Sequence, residues 1–350
     1  MSAVAAPDPS APGSVDRLRK LLPGVAFCAA IGGLAWALAR VEVALFEYAL
    51  IEPVVLAILI GMLVRTVWMP PKALEPGIGF TAKRVLEVAI VLLGASLDLG
   101  TLEDLGYALL AAVVITTATA LGLGVVLGRR AGLTSNLAIL IAVGNAICGN
   151  SAIAAVAPVI RAKKQEIASA ISLTAVLGVV VVLTLPLVQE PAGLSDRQYG
   201  ILAGMVVYAV PQVLAATFPV SDASGQVGAL VKLIRVALLG PVVALFAFLH
   251  RADPDGNPVR FSLRRYLPWF VLGFFATAIL RTAGAVPADL GSDAKEISRW
   301  LTVAAMAALG LGVDVRAVRK TGPRVAAVVA GLLVMLIVLG IALIRLFGLE

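Results

Sequence analysis

A run of small and polar residues interrupts one of the apolar segments of this sequence, from Ala142 to Ile160. It reads AVGNAICGNSAIAAVAPVI, with Gly, Asn and Ser where a plain membrane-spanning helix would carry Leu and Val. Glycine frees the backbone from helical geometry, and asparagine and serine offer short hydrogen-bonding groups. We therefore predict a helix that is interrupted at Cys148 to Ser151. The alternative is that the small residues serve only a close helix crossing.

An interrupted helix would expose free backbone N–H groups where its second half begins, near Ser151. This end carries the positive pole of the helix dipole and attracts anions. Cys148 is expected to behave as a small hydrophobic residue rather than as a reactive thiol. The residues of this run that we expect to form a solute site are Asn145, Cys148, Gly149, Asn150 and Ser151.

A second apolar run, Tyr199 to Val220, is interrupted by Tyr208, Pro211, Gln212 and Pro219. If this interruption faces the first, Tyr208 and Gln212 would contribute to the same site. The alternative for Tyr208 is an aromatic residue at the membrane interface.

Lys232 and Arg235 are the strongest charges within an apolar run. At a spacing of three residues they share one helical face, so both could point at one anion. The alternative is that both side chains extend to the membrane surface. Glu87 follows Lys83 and Arg84, and we expect it to lie on a solvated helix face rather than in a proton relay.

The composition excludes a soluble domain. Of 350 residues, 60% are hydrophobic and 14% charged, and the mean hydropathy is +1.01, whereas soluble chains carry about 25% charged residues. With two cysteines and one histidine, the sequence supports neither a disulfide framework nor a metal or cofactor site. We find no pair of a catalytic base and a nucleophile that would indicate an enzyme. The net charge of +7 lies in short basic blocks between apolar runs, which indicates membrane topology rather than nucleic-acid binding.

We predict an all-α polytopic membrane protein, with a disordered tail over residues 1–16 and one transmembrane domain over 17–350. Eleven apolar segments are present, of which about 9–11 would enter the bilayer. The basic blocks favour a cytoplasmic N-terminus and re-entrant hairpins at residues 136–160 and 199–220, although both segments could instead cross fully.

Two stretches resemble one another within the chain. Leu93 to Gly106 reads LGASLDLGTLEDLG, and Leu309 to Gly322 reads LGLGVDVRAVRKTG. Each follows an apolar run and precedes another, and an odd number of crossings separates the two preceding helices. We therefore predict inverted repeats, a known device of transporters.

The string GNAICGNSAIAAVAPVIRAKKQEIASAI resembles the signature of the YeiH-like family of bacterial inner-membrane proteins, which are described as sulfate exporters. The stretches VLLGASLDL, VKLIRVALLGPVV and LGLGVDV are similar to that family as well. In one departure, the family pattern has a histidine and an acidic residue where this chain has Tyr208 and Ala209. The resemblance extends to transporters of the bile-acid and cation/proton exchanger types. It implies a panel domain, a mobile core domain and a homodimer.

Together these features predict a secondary active transporter of a small anion, with Na⁺ or H⁺ as the coupling ion. The resemblance implies export of sulfate or a related sulfur-containing anion across the bacterial inner membrane. The alternatives are a sodium-coupled carrier of an organic solute, an anion channel and a membrane sensor that transports nothing.

Overall fold

The computed structural model describes residues 14–46, 52–100, 106–249, 268–313 and 323–349. These residues are almost entirely helical, as predicted, and contain no strand. A π-helix covers Thr81–Val85, and a 3₁₀-helix covers Leu185–Val188. The α-helices are α1 Ser14–Phe46, α2 Pro53–Val67, α3 Glu75–Phe80, α4 Leu86–Gly94, α5 Gly106–Arg130, α6 Ser135–Ala146, α7 Asn150–Val156, α8 Lys164–Thr184, α9 Asp196–Val206, α10 Val210–Thr217, α11 Asp222–Ala237, α12 Leu239–Leu249, α13 Trp269–Thr282, α14 Ala288–Leu311 and α15 Pro323–Leu346.

The helix starts follow ordinary capping chemistry. Three helices begin after a hydroxyl residue whose side chain accepts a hydrogen bond from the backbone three residues later: Thr134 before α6, Ser195 before α9 and Ser221 before α11. Such caps satisfy N–H groups that have no partner within the helix. Helix α1 begins at Ser14, inside the stretch predicted as the tail. Residues 1–13 lie outside the described residues.

Five segments of the described chain are long and apolar enough to cross a membrane: Leu18–Leu45, Gly106–Arg130, Lys164–Val188, Asp222–Leu249 and Ala327–Leu346. Shorter apolar helices lie between them, including Pro53–Val67 and Trp269–Thr282. Each of the two interrupted apolar runs coincides with a pair of helices, α6 with α7 and α9 with α10. The protein is therefore an all-α polytopic membrane protein.

The helices pack in two groups. The first group consists of α1 to α4, α13 and α14, and the second consists of α5 to α12 and α15. Close crossings hold the first group together, since a Cβ atom on Gly61 of α2 would lie 2.5 Å from the carbonyl oxygen of Ala307 in α14. Two groups are consistent with the panel and core that the resemblance implies.

The predicted internal repeat can be followed only in part. Helix α4 ends at Gly94, helix α14 ends at Leu311, and the two helices pack against one another. Residues 101–105 and 314–322, which complete the two similar stretches, lie outside the described residues. The inverted repeat therefore stays a prediction.

Candidate functional site: two interrupted helices at one cavity

Both predicted interruptions are present. Helix α6 ends at Ala146 and α7 begins at Asn150, while α9 ends at Val206 and α10 begins at Val210. The first interruption starts slightly earlier than predicted, and the residue that precedes α7 is Gly149, with φ 61° and ψ −122°. This backbone region is essentially restricted to glycine, because a Cβ atom makes it strained.

The carbonyl groups that end α6 and α9 receive hydrogen bonds from Arg235 of α11. Its guanidinium donates to the oxygens of Asn145 at 2.7 Å, Ala146 at 2.9 Å, Gly204 at 3.3 Å and Met205. The last carbonyls of a helix have no partner within it and carry the negative pole of its dipole, so a cation is stabilising there. One side chain thus caps both interrupted helices.

Lys232 supplies a further cap. Its ammonium group donates to the oxygen of Val207, just after the end of α9, at 2.6 Å. Lys232 and Arg235 have no exposed surface. The predicted alternative in which they extend to the membrane surface is therefore wrong. Their hydrogen bonds go to backbone carbonyls, not toward an open solute site.

A cavity of about 310 Å³ lies beside the two interruptions. Its wall contains six of the predicted site residues, namely Cys148, Gly149, Asn150, Ser151, Tyr208 and Gln212. The rest of the wall is formed by Ala82, Lys83, Leu86, Glu87, Ile90, Thr174, Ala175, Ala209, Val210, Pro211, Val236, Leu239, Pro268, Phe270, Leu309 and Val313. Both groups of helices therefore contribute to the cavity.

Two side chains in the wall are held by neighbouring groups. The Asn150 side-chain oxygen accepts a hydrogen bond from the Thr174 hydroxyl at 3.0 Å, which orients the amide at the start of α7. The Gln212 side-chain oxygen accepts from the backbone N–H of Ala209 at 3.3 Å, so it caps the start of α10.

Tyr208 differs from these residues. It is 1% exposed, and its hydroxyl has no hydrogen-bond partner among the described residues. Buried hydroxyl groups are normally satisfied, so this one calls for a partner that the described residues do not supply. The predicted alternative of an interfacial aromatic residue is wrong, because Tyr208 is buried.

Three predicted site residues lie outside the cavity wall: Asn145, Lys232 and Arg235. The Asn145 amide donates to the carbonyl of Ile141 at 2.9 Å within its own helix. Lys232 and Arg235 hold the carbonyl ends of α6 and α9, whereas Asn145 bonds within α6. The structure thus places these three residues outside the cavity wall, and their part in solute binding stays a prediction.

Glu87 is the main polar residue whose position we did not predict. It is only 7% exposed, where we expected a solvated face, and it lies in the cavity wall. Its carboxylate pairs with Arg84 at 2.7 Å and accepts a hydrogen bond from the Trp269 indole N–H at 2.8 Å. The sequence signal was a carboxylate that enters an apolar run, and the π-helix beside it is typical of functional sites.

Comparison with known proteins decides the family. A family model described as "Conserved hypothetical protein 698" matches residues 23–329. The chain is 48% identical over 335 residues to the "UPF0324 membrane protein blr3189" of Bradyrhizobium diazoefficiens, which covers 95% of each chain. The chain belongs to this family. A further member, from Agrobacterium fabrum, is 45% identical over 333 residues, again with 95% of each chain covered.

The family reaches beyond these two relatives. A "UPF0324 membrane protein" of Clostridium tetani is 30% identical over 335 residues, covering 91% of this chain and 96% of the relative. The predicted resemblance to the YeiH-like family is confirmed. The names of these members state that they are membrane proteins, which agrees with the apolar helices of this chain.

Proposed function

We propose that this protein is a secondary active transporter of a small anion, acting by alternating access in the bacterial inner membrane with its N-terminus in the cytoplasm. One observation carries the proposal. The N-terminal ends of two interrupted helices lie in the wall of one cavity, whereas the C-terminal ends of their first halves are occupied by fixed cations. The positive poles of α7 and α10 are thus left for a solute.

The residues proposed to bind the anion are those at the helix starts. Ser151 and the amide of Asn150 offer donors at the start of α7, and the hydroxyl of Tyr208 offers one beside the start of α10. Gly149 allows the sharp turn that brings Asn150 and Ser151 into the wall. Lys232 and Arg235 compensate the carbonyl ends and add positive potential behind the site.

A sodium-coupled carrier would most simply use the same carbonyl groups to bind Na⁺. In this protein, the carbonyls of Asn145, Ala146 and Val207 already accept hydrogen bonds from cationic side chains. This arrangement counts against a sodium site at those carbonyls. Na⁺ or H⁺ as the coupling ion, and a homodimer as the assembly, remain part of the proposal.

Thermal stability of the purified protein against sulfate, sulfite, taurine, chloride and sodium tests the proposal. A ligand at 100 times its dissociation constant adds about 2.7 kcal/mol to the free energy of unfolding. We expect at least one anion to stabilise the protein and to be taken up by proteoliposomes at a saturable rate. A sodium effect without any anion effect contradicts the anion site, and flux far above carrier turnover would indicate a channel.

The variant Asn150→Leu locates the site. We expect it to fold and to lose stabilisation by the anion, because it removes an amide from the cavity wall. The matched control is Gln189→Leu, which removes an amide that donates to Asp196 outside the cavity. Normal anion transport by Asn150→Leu would remove Asn150 from the site.

A further inference from the structure

The size of the cavity bears on the kind of anion that it would hold. At about 310 Å³, it falls at the lower end of the range, about 300–1,000 Å³, that is typical of sites for organic ligands. Sulfate has five non-hydrogen atoms, so it would leave much of this space to water or empty.

Apolar side chains form much of the cavity wall. They come from five helices and include Leu86 and Ile90 of α4, Val236 of α11, Leu239 of α12, Phe270 of α13 and Leu309 of α14. Phe270 and Leu309 are partly buried, and the others are buried. Such a surface offers a strongly hydrated oxyanion no hydrogen bonds to replace those that it makes with water. It does stabilise an apolar group, which is removed from water when it binds there.

The polar side of the cavity is small. Apart from Lys83 and Glu87, its polar side chains lie at or beside the two interruptions, namely Asn150, Ser151, Thr174, Tyr208 and Gln212. These groups suit one anionic group, not a ligand that is polar on all sides.

The described charges around the cavity are net positive. The Glu87 carboxylate is neutralised by Arg84. Lys83 also lies in the wall and has no ion-pair partner in the described part of the chain. With Lys232 and Arg235 behind the interruptions, these cations favour an anion as the solute. A single anionic charge costs far less to dehydrate than a dianion does.

We propose that the transported solute is a monovalent organic anion with an apolar body, bound with its charged group at Asn150, Tyr208 and the start of α10 and its body against Phe270, Leu309 and the α4 face. This inference rests on the proposed transport function and specifies its substrate class. It places inorganic sulfate among the weak ligands of this protein.

A series of alkanesulfonates from methane- to butanesulfonate tests the inference. Their charge is independent of pH, so affinities measured by thermal-stability titration of the full-length protein compare only the apolar body. Each buried methylene should tighten binding about fourfold, until the chain fills the cavity. Sulfate, titrated alongside, should bind more weakly than butanesulfonate.

The variant Phe270→Ala should weaken butanesulfonate binding about tenfold and change methanesulfonate binding by less than about twofold. The control is Leu272→Ala on the same helix, where the side chain is 56% exposed and outside the cavity wall. It should leave the whole series unchanged. If Phe270→Ala does not fold, Leu309→Ala serves as the second variant, with the same expected pattern.

The possible outcomes separate this inference from the proposed function. Affinity that rises with chain length and is reduced by Phe270→Ala supports it. A flat series, or sulfate as the tightest ligand, overturns the organic substrate while anion transport still stands. If no anion binds and none enters proteoliposomes, both proposals fail.

Discussion

The first chain interruption passes through Gly149 at φ 61°, a conformation that side chains disfavour, whereas the second passes through Val207 and Ala209 in extended conformations that any residue adopts. Arg235 donates hydrogen bonds to carbonyls at both. The geometry of the first interruption thus depends on a particular residue in the chain. That of the second depends on the groups packed around it, and Arg235 is common to the two.

The largest expected effect comes from removing the shared cap. Arg235→Met leaves four carbonyls without their donor, and an unsatisfied buried polar group costs about 1–3 kcal/mol. We expect the free energy of unfolding to fall by more than about 3 kcal/mol, seen as a lower thermal midpoint in detergent.

Arg345→Met is the matched control for the shared cap. Arg345 donates to the carbonyl of Ala192 in an exposed hydrogen bond at 2.9 Å, so its loss should change stability by less than about 0.5 kcal/mol. If both arginine variants have the same small effect, Arg235 is not the group that holds the two interruptions.

Substitutions at Gly149 and Ala209 test whether the two interruptions depend on different features of the chain. A Cβ atom on Gly149 would meet nothing closer than 3.7 Å, so Gly149→Ala tests the backbone conformation alone. We expect a loss of about 1–3 kcal/mol in the free energy of unfolding. Ala209→Gly, at the second interruption, should cost about 0.4–1 kcal/mol, through the entropy of the unfolded chain. Equal thermal shifts in the two variants would remove the proposed difference.

The smallest effect on stability should come from two buried tyrosines. The Tyr199 hydroxyl donates to the carbonyl of Ala216 at 2.9 Å, whereas the Tyr208 hydroxyl has no partner among the described residues. Tyr199→Phe should therefore lower the free energy of unfolding by about 1 kcal/mol, and Tyr208→Phe should leave it unchanged or slightly higher.

The same two tyrosine variants distinguish an effect on anion binding from an effect on stability. If Tyr208 donates to the bound anion, Tyr208→Phe should weaken anion binding about tenfold or more, and Tyr199→Phe should not. Anion affinity that is the same in the two variants would exclude Tyr208 from the site.

Much of the fold could be predicted because its signals are local. Apolar runs of helical length located the helices, and Gly149 between Asn and Cys residues located the first interruption to within a few residues. Pro211 and Gln212 located the second in the same way, since proline is favoured in the first turn of a helix. Six of the expected site residues lie together in the cavity wall for this reason.

The side chains whose positions could not be predicted are charged, and their partners are distant in sequence. Lys232 contacts a carbonyl 25 residues away, and Arg235 contacts one 90 residues away. Glu87 accepts a hydrogen bond from an indole 182 residues away. Local sequence shows that a charge lies in an apolar run but not which backbone or cavity it will reach.

By itself, the sequence determined an all-α membrane protein with two interrupted helices, because hydropathy and backbone preference act within a few residues. Only the tertiary structure decided that one arginine caps both helices, that Glu87 enters the cavity and that the cavity is largely apolar. The reason is physical: buried charges and cavities are defined by whichever groups the folded chain brings together, regardless of their separation in sequence.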